Sequence, residues 1–169
     1  LSAGPGISNV FETAAAGGKL LQVQTVFIDI STTNTTSATY VDVTGMTVDI
    51  TPSASSSKVL VLCDAKFGRA TGNVASLRMM RDSTPIGVGA DIGGHQFGNM
   101  GWDGTSANQG LSYGIQVMYL DSPSSTSALT YKVQYSTYAG VALYLNRPGS
   151  DSSSNTYVGS SIVLMEIGA

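Results

Sequence analysis

The sequence predicts an all-β chain, an antiparallel sandwich or barrel, on three observations. Apolar and polar residues alternate with period two in run after run, as in Tyr40 to Val43 and Met46 to Ile50. Ser, Thr, Asn, Asp, Gly and Pro clusters separate these runs at short intervals, for example at Ser31 to Ser37, Pro52 to Ser57, Asp121 to Ser127 and Pro148 to Asn155. No amphipathic helical pattern comes between them, which excludes alternating βαβ units.

Taken in order, residues 1 to 18, LSAGPGISNVFETAAAGG, hold no sustained period and read as a linker or N-terminal arm, with at most a helical turn near Phe11 to Ala16. One β domain is expected over 19–169. Its first strand is predicted at about Leu20 to Ile30. In TSATYVDVTGMTVDITPSASSSKVLVL, the runs Ala38 to Val43 and Met46 to Ile50 flank Gly45 and are expected to form a half-buried hairpin. Lys58 to Lys66 follows, apolar at nearly every position from Lys58 to Cys63, as for a strand covered on both sides. Further strands are expected at Ser76 to Asp82, Ile86 to Val88, Ser112 to Leu120, Leu129 to Tyr138, Val141 to Asn146 and Ser160 to Ile167. The last run, SSIVLMEIGA, is apolar on both faces, which suits a central or inter-subunit strand whose trimming would be damaging. Gly89 to Gly110 is the one connection longer than the ~12–15 residues beyond which loops are usually functional or mobile.

Composition narrows the function. The 169 residues are 42% hydrophobic, enough for a core without staples, and the single Cys63, inside an apolar run, is expected to be buried and inert. Charged residues make up 11%, well under the ~25% usual for soluble domains, so Ser, Thr, Asn and Gly must supply the wet surface. That suits a durable extracellular particle. Net charge is −3 without a Lys/Arg run, which argues against a nucleic-acid partner. No run approaches the ~20 apolar residues of a membrane span, and a basic-then-apolar secretion signal is not seen at the start. No membrane insertion is therefore expected. Beginning at Leu1 rather than Met, the chain reads as a processed product or a C-terminal piece of something longer.

In order, TSATYVDVTGMTVDITPSASSSKVLVL, LRMMRDSTPIGVG, YLDSPSSTSALTYKVQYST, YLNRPGS and SSIVLMEIGA resemble successive segments of a β-rich module of tailed bacteriophages, found in tail-fibre, tail-tip and capsid-fibre proteins. The resemblance runs from about Gly18 to the C-terminus and rests on segment order, since no segment is a chemical motif. It implies a jelly-roll β-sandwich, a homotrimer, other virion structural proteins as partners, and a place on the virion surface. It also implies attachment to a host-cell glycan or lipopolysaccharide. A capsid decoration protein without ligand, and a polysaccharide-degrading fibre domain, are the alternatives.

No residue set argues for catalysis or a cofactor, and neither is expected. His95 is the only histidine; with no HExxH or GxSxG and with Cys63 in a distant run, it makes neither a zinc site nor a triad and reads as a loop or interface residue. Asp42 and Asp49 are expected on one solvated face and Asp91 and Asp103 in the long loop, without the paired geometry that glycoside cleavage needs. Trp102, in NMGWDGTS, could instead stack on a sugar ring while His95, Asn99 and Asp103 bond its hydroxyls, or could anchor the loop by packing. These four are the candidate ligand-binding residues, within Asp91 to Asn108. Asp151 to Asn155 reads as a solvated turn rather than a cation loop, and Asn34-Thr35-Thr36 as no glycosylation site in a bacterial virus. Tyr113, Tyr119, Tyr131, Tyr135 and Tyr138 are expected on a sheet face or subunit interface.

Overall fold

The computed structural model describes residues 18–29, 34–69, 75–89, 98–102, 113–137, 140–150, 153 and 156–168. Residues 1–17 of the arm, His95, Asp91, Asp103 and Asn108 lie outside them, as does most of 151–155. Among the described residues there is no helix, and the strands are β1 Lys19–Ile28, β2 Asn34–Thr35, β3 Val41–Ile50, β4 Lys58–Arg69, β5 Ala75–Arg81 and β6 Thr84–Ile86. After these come β7 Met100–Trp102, β8 Tyr113–Asp121, β9 Leu129–Thr137, β10 Leu143–Leu145 and β11 Ser160–Gly168.

They form two antiparallel sheets. In sheet A, β4 is central: β8 lies along one side, and β11 followed by β10 lies along the other. β1 pairs with the far side of β11, and β2 with β10. In sheet B, β9 lies between β3 and β5, and β6 and β7 sit end to end on the far side of β5. One core holds both sheets, an arrangement compatible with the expected sandwich. Val43, Met46, Val48 and Ile50 of β3, Leu77 and Met79 of β5 and Tyr131, Val133 and Tyr135 of β9 meet Val59, Val61 and Phe67 of β4 and Ile162 and Leu164 of β11 in one buried cluster. Burying these faces removes apolar surface at ~25 cal/mol per Å², the main force joining the sheets.

Where β10 and β11 succeed each other beside β4, buried Asn146, at φ 60°, ties the chain together. Its N–H donates to the Lys66 carbonyl at 2.8 Å, its amide to the Ile28 carbonyl at 2.8 Å, and its Oδ1 accepts from the Ser160 hydroxyl.

Two expectations are corrected. Gly45 is not a hairpin turn, because Val41–Ile50 runs on as one strand and both halves pair with β9. The register shifts between Asp42, opposite Gln134, and Thr47, opposite Lys132, so the extra residues bulge. The bulge reverses the inward parity from odd to even, and thereby keeps both Val43 and Met46 buried. Second, β4 is covered completely on one face only: inward Val59, Val61, Cys63 and Ala65 are buried while outward Leu60, Leu62, Asp64 and Lys66 remain part-exposed. The tyrosines are on inward sheet faces: Tyr131 and Tyr135 are buried in the core on β9, and Tyr119 of β8, opposite inward Val61, is on the same side as Ile115 and Asp121 at the rim of the core, 37% exposed and against Gly87; Tyr138 lies outside the described residues.

Gly45 adopts φ +86°, and an added Cβ would stand 2.9 Å from Ile28 Cδ1. The side chain of Ile28 can yield; the backbone cannot without strain. Gly45→Ala is expected to cost about 1–2 kcal/mol in urea unfolding, with an unchanged far-ultraviolet spectrum.

Candidate interaction surface

The predicted Gly89 to Gly110 loop is divided by β7, which pairs with the start of β5, Trp102 opposite Ala75 and Met100 opposite Leu77. This fixes the backbone of Trp102 at the edge of sheet B. Asn99 is fixed more fully. Its N–H donates to the Leu77 carbonyl at 2.9 Å, its Oδ1 accepts from Met79 N–H at 2.5 Å, and its amide donates to the carbonyls of Ile86 at 3.0 Å and Gly87 at 2.8 Å. It therefore pins the segment before Trp102 to the β5–β6 hairpin. The structure brings Asn99 and Trp102 onto one short segment; His95 and Asp103 fall outside the described residues.

Asp42 and Asp49 are on the outer face of sheet B, as expected, and both are engaged. Asp42 accepts from Lys132 Nζ at 2.7 Å and Gln134 Nε2 at 2.6 Å, and Asp49 from the Thr130 hydroxyl at 2.7 Å. Slight burial raises the Asp42 pKa, but these bonds and the Lys132 charge outweigh it and leave the carboxyl below its usual range. Gln134 also accepts from Arg78 Nε at 2.8 Å, and the Arg78 guanidinium stacks 3.9 Å above the Tyr40 ring. The outer face of sheet B is thus a polar lattice closed within its own plane.

Two buried carboxylates escaped the sequence reading. Asp121, ending β8, accepts from Arg81 Nη1 at 2.8 and 2.7 Å, from the Tyr131 hydroxyl at 2.7 Å and from Ser122 N–H at 2.8 Å. Glu166, fully inaccessible in β11, accepts from Gln22 Nε2 at 2.6 Å and, each at 2.7 Å, from Ser53 N–H and the hydroxyls of Ser53 and Ser57. The available signal was parity: Glu166 follows Ile162 and Leu164 on the inward side, and Asp121 follows Ile115 and Val117. Each carboxylate accepts four hydrogen bonds from described residues of the chain, which is the arrangement of a structural clamp. Cys63 is buried as expected; burial first, and then nearby Asp64, push its thiol up to about 12. Among the described residues no group of three or more His, Cys, Asp and Glu is placed to hold a metal.

The outer face of sheet A has the opposite character to that of sheet B. Register places Val23, Met165, Leu60 and Leu120 side by side in one row across four strands, and Thr25, Val163, Leu62 and Met118 in the next. Leu20 and Ile167 extend the apolar surface beyond the first row, and Phe27 beyond the second. Where the second row meets Asp64, Gln116 and Ser161, the surface dips into a groove of about 270 Å³ floored by Leu62, Met118 and Val163. No family model matches this chain, and no curated protein matches it in sequence.

Proposed function

We propose that this chain is a structural and adhesive module of a bacteriophage particle, a tail fibre, tail tip or capsid fibre, built as a homotrimer of jelly-roll sandwiches and carrying host attachment rather than catalysis. The observation that carries this reading is the contrast between the two outer faces, one a self-satisfied polar lattice suited to water, the other a broad apolar sheet suited to burial in an assembly. The resemblance of the successive segments to phage fibre modules supplies the particle. The jelly-roll topology is supported by strand order: β1, β3, β4 and β5 alternate between the sheets, and β8, β9 and β11 return in the same alternation to give β1-β11-β4-β8 opposite β3-β9-β5.

Recognition, in this reading, belongs to the Asp91 to Asn108 segment, with Trp102 as aromatic anchor, His95 and Asp103 as polar contacts, and Asn99 as the residue that holds the anchor's backbone in place. Loops fixed at both ends by a rigid scaffold gather binding residues, and three copies add avidity to a weak site. Incubating the chain with host lipopolysaccharide tests the class: binding without sugar release is expected, release would make it an enzyme, and neither would make it a decoration protein. Trp102→Ala is expected to lower single-site affinity about tenfold or more, leaving melting temperature and subunit number unchanged. A marked loss of stability, or undiminished adsorption, would assign Trp102 to packing.

A further inference from the structure

We infer that the apolar outer face of sheet A is the surface through which identical copies of this chain pack, with Leu60, Leu62, Met118, Val163 and Met165 at its centre. The inference rests on the homotrimer reading and adds to it the face that makes the contact.

Size is the first argument. Val23, Leu20 and Leu120 are each about half exposed, Phe27 is 67% and Met118 78% exposed, and all five lie on this one side of the sheet. With full areas of roughly 150–250 Å² for large side chains, these five alone leave on the order of 500 Å² of apolar surface in water. That is near the top of the ~300–600 Å² range of a typical monomer's largest patch. Adding part-exposed Leu60, Leu62, Val163, Met165 and Ile167 and a rim brings the face close to the ~800 Å² each partner contributes to a standard interface.

Charge is the second. The two central rows contain no ionisable residue, so a copy can meet a copy without like charges being forced together. The nearest charges are marginal and engaged: Lys58, beyond Ile167, donates to the Ser122 hydroxyl at 2.8 Å, and Asp64, beyond Leu62, pairs with Lys66. A partner of opposite charge has nothing here to recognise, whereas an equally neutral apolar face does. Edges are the third argument. Among the described residues β8 pairs with β4 alone, and β1 with β11 alone, so the apolar face is bounded by two strands with open edges. Such edges invite indiscriminate pairing unless an assembly covers them.

The test uses the full chain with Val23→Glu and Met118→Glu together, exposed positions on the two edge strands and away from the core. Sedimentation of the unaltered chain at micromolar concentration should give an oligomer, and the double variant should dissociate at least about a hundredfold more readily with the same β-sheet spectrum. An undiminished oligomer in the folded variant would overturn this face while leaving the homotrimer intact. A monomeric unaltered chain would overturn both. Should the variant not fold, Met118→Cys decides instead, because buried Cys63 leaves a low thiol background. Slow maleimide labelling in the oligomer that becomes fast on dilution to monomer supports the inference. Fast labelling in the oligomer overturns it, and so does protection that persists in a monomer, which would mean that another segment of the same chain covers the face.

Discussion

Asp121→Ala is expected to lower the free energy of unfolding by about 3 kcal/mol, at the lower end of the ~3–5 kcal/mol seen when one partner of a buried ion pair is removed. The Asp121 carboxylate joins the two sheets at one end of the core. It sits on β8 of sheet A, while Arg81 is on β5 and Tyr131 on β9 of sheet B. Its removal strands the Tyr131 hydroxyl, on a residue with no accessible surface, and leaves a guanidinium whose side chain is only 21% exposed. That remaining exposure is why the lower end of the range applies. Tyr131→Phe removes one charge-assisted hydrogen bond and keeps the ion pair, so about 1.5–3 kcal/mol is expected. Urea midpoints of the two variants check the ordering. A loss under about 1 kcal/mol for Asp121→Ala would mean that water takes over the freed donors and that the clamp contributes little.

The strands were legible because their alternation is a local consequence of the pleat. The predicted Ser76 to Asp82 is shifted from β5 by one residue at each end, Ser160 to Ile167 stops one residue short of β11, and Leu129 to Tyr138 matches β9 as far as the described residues run, to Thr137. Gly45 was misread for a related reason. A reversal of inward parity looks the same in sequence whether the chain turns back or bulges, and the difference lies in the partner, since both halves of β3 face one continuous β9. Three-residue β7 has too few residues to show any period. It is a strand because β5 offers an open edge, and the β5 residues it pairs with are more than twenty positions away in sequence.

The candidate site was legible in the same uneven way. The doubly apolar SSIVLMEIGA suited a central strand, and β11 is paired on both edges, with outward Val163, Met165 and Ile167 part-exposed on the apolar face. That Leu60, Leu62, Met118 and Leu120 continue the same surface follows from pairing β11 and β8 with opposite sides of β4, which no local pattern contains. Asn99 belongs to the loop by its neighbours in sequence, but its amide has three backbone partners that the β5–β6 hairpin assembles.

Acid is expected to weaken the fold through Glu166, and Glu166→Gln is expected to remove most of that sensitivity at a cost of about 2–3 kcal/mol near neutral pH. Burial alone would raise the carboxyl's pKa; four hydrogen bonds, from Gln22, the hydroxyls of Ser53 and Ser57 and the Ser53 N–H, outweigh it and hold the value at about 2, below the ordinary 4.5. A depressed folded-state pKa stabilises the fold fully above the unfolded value. Between about 4.5 and 2 the unfolded chain takes up the proton and the folded chain does not, so this contribution falls away through that window. The amide that Glu166→Gln introduces does not titrate, and it places a donor where Oε1 or Oε2 now accepts, so its penalty is the same at every pH. The measured quantity is therefore the difference in melting temperature between the two proteins, largest above about pH 5 and shrinking towards about pH 2. Asp42, with its own lowered pKa, is present in both and drops out of the difference. A difference that stays constant down to about pH 2 would show that the carboxyl titrates alike in the folded and unfolded chain, so that the bonds from Ser53, Ser57 and Gln22 do not favour its charged form.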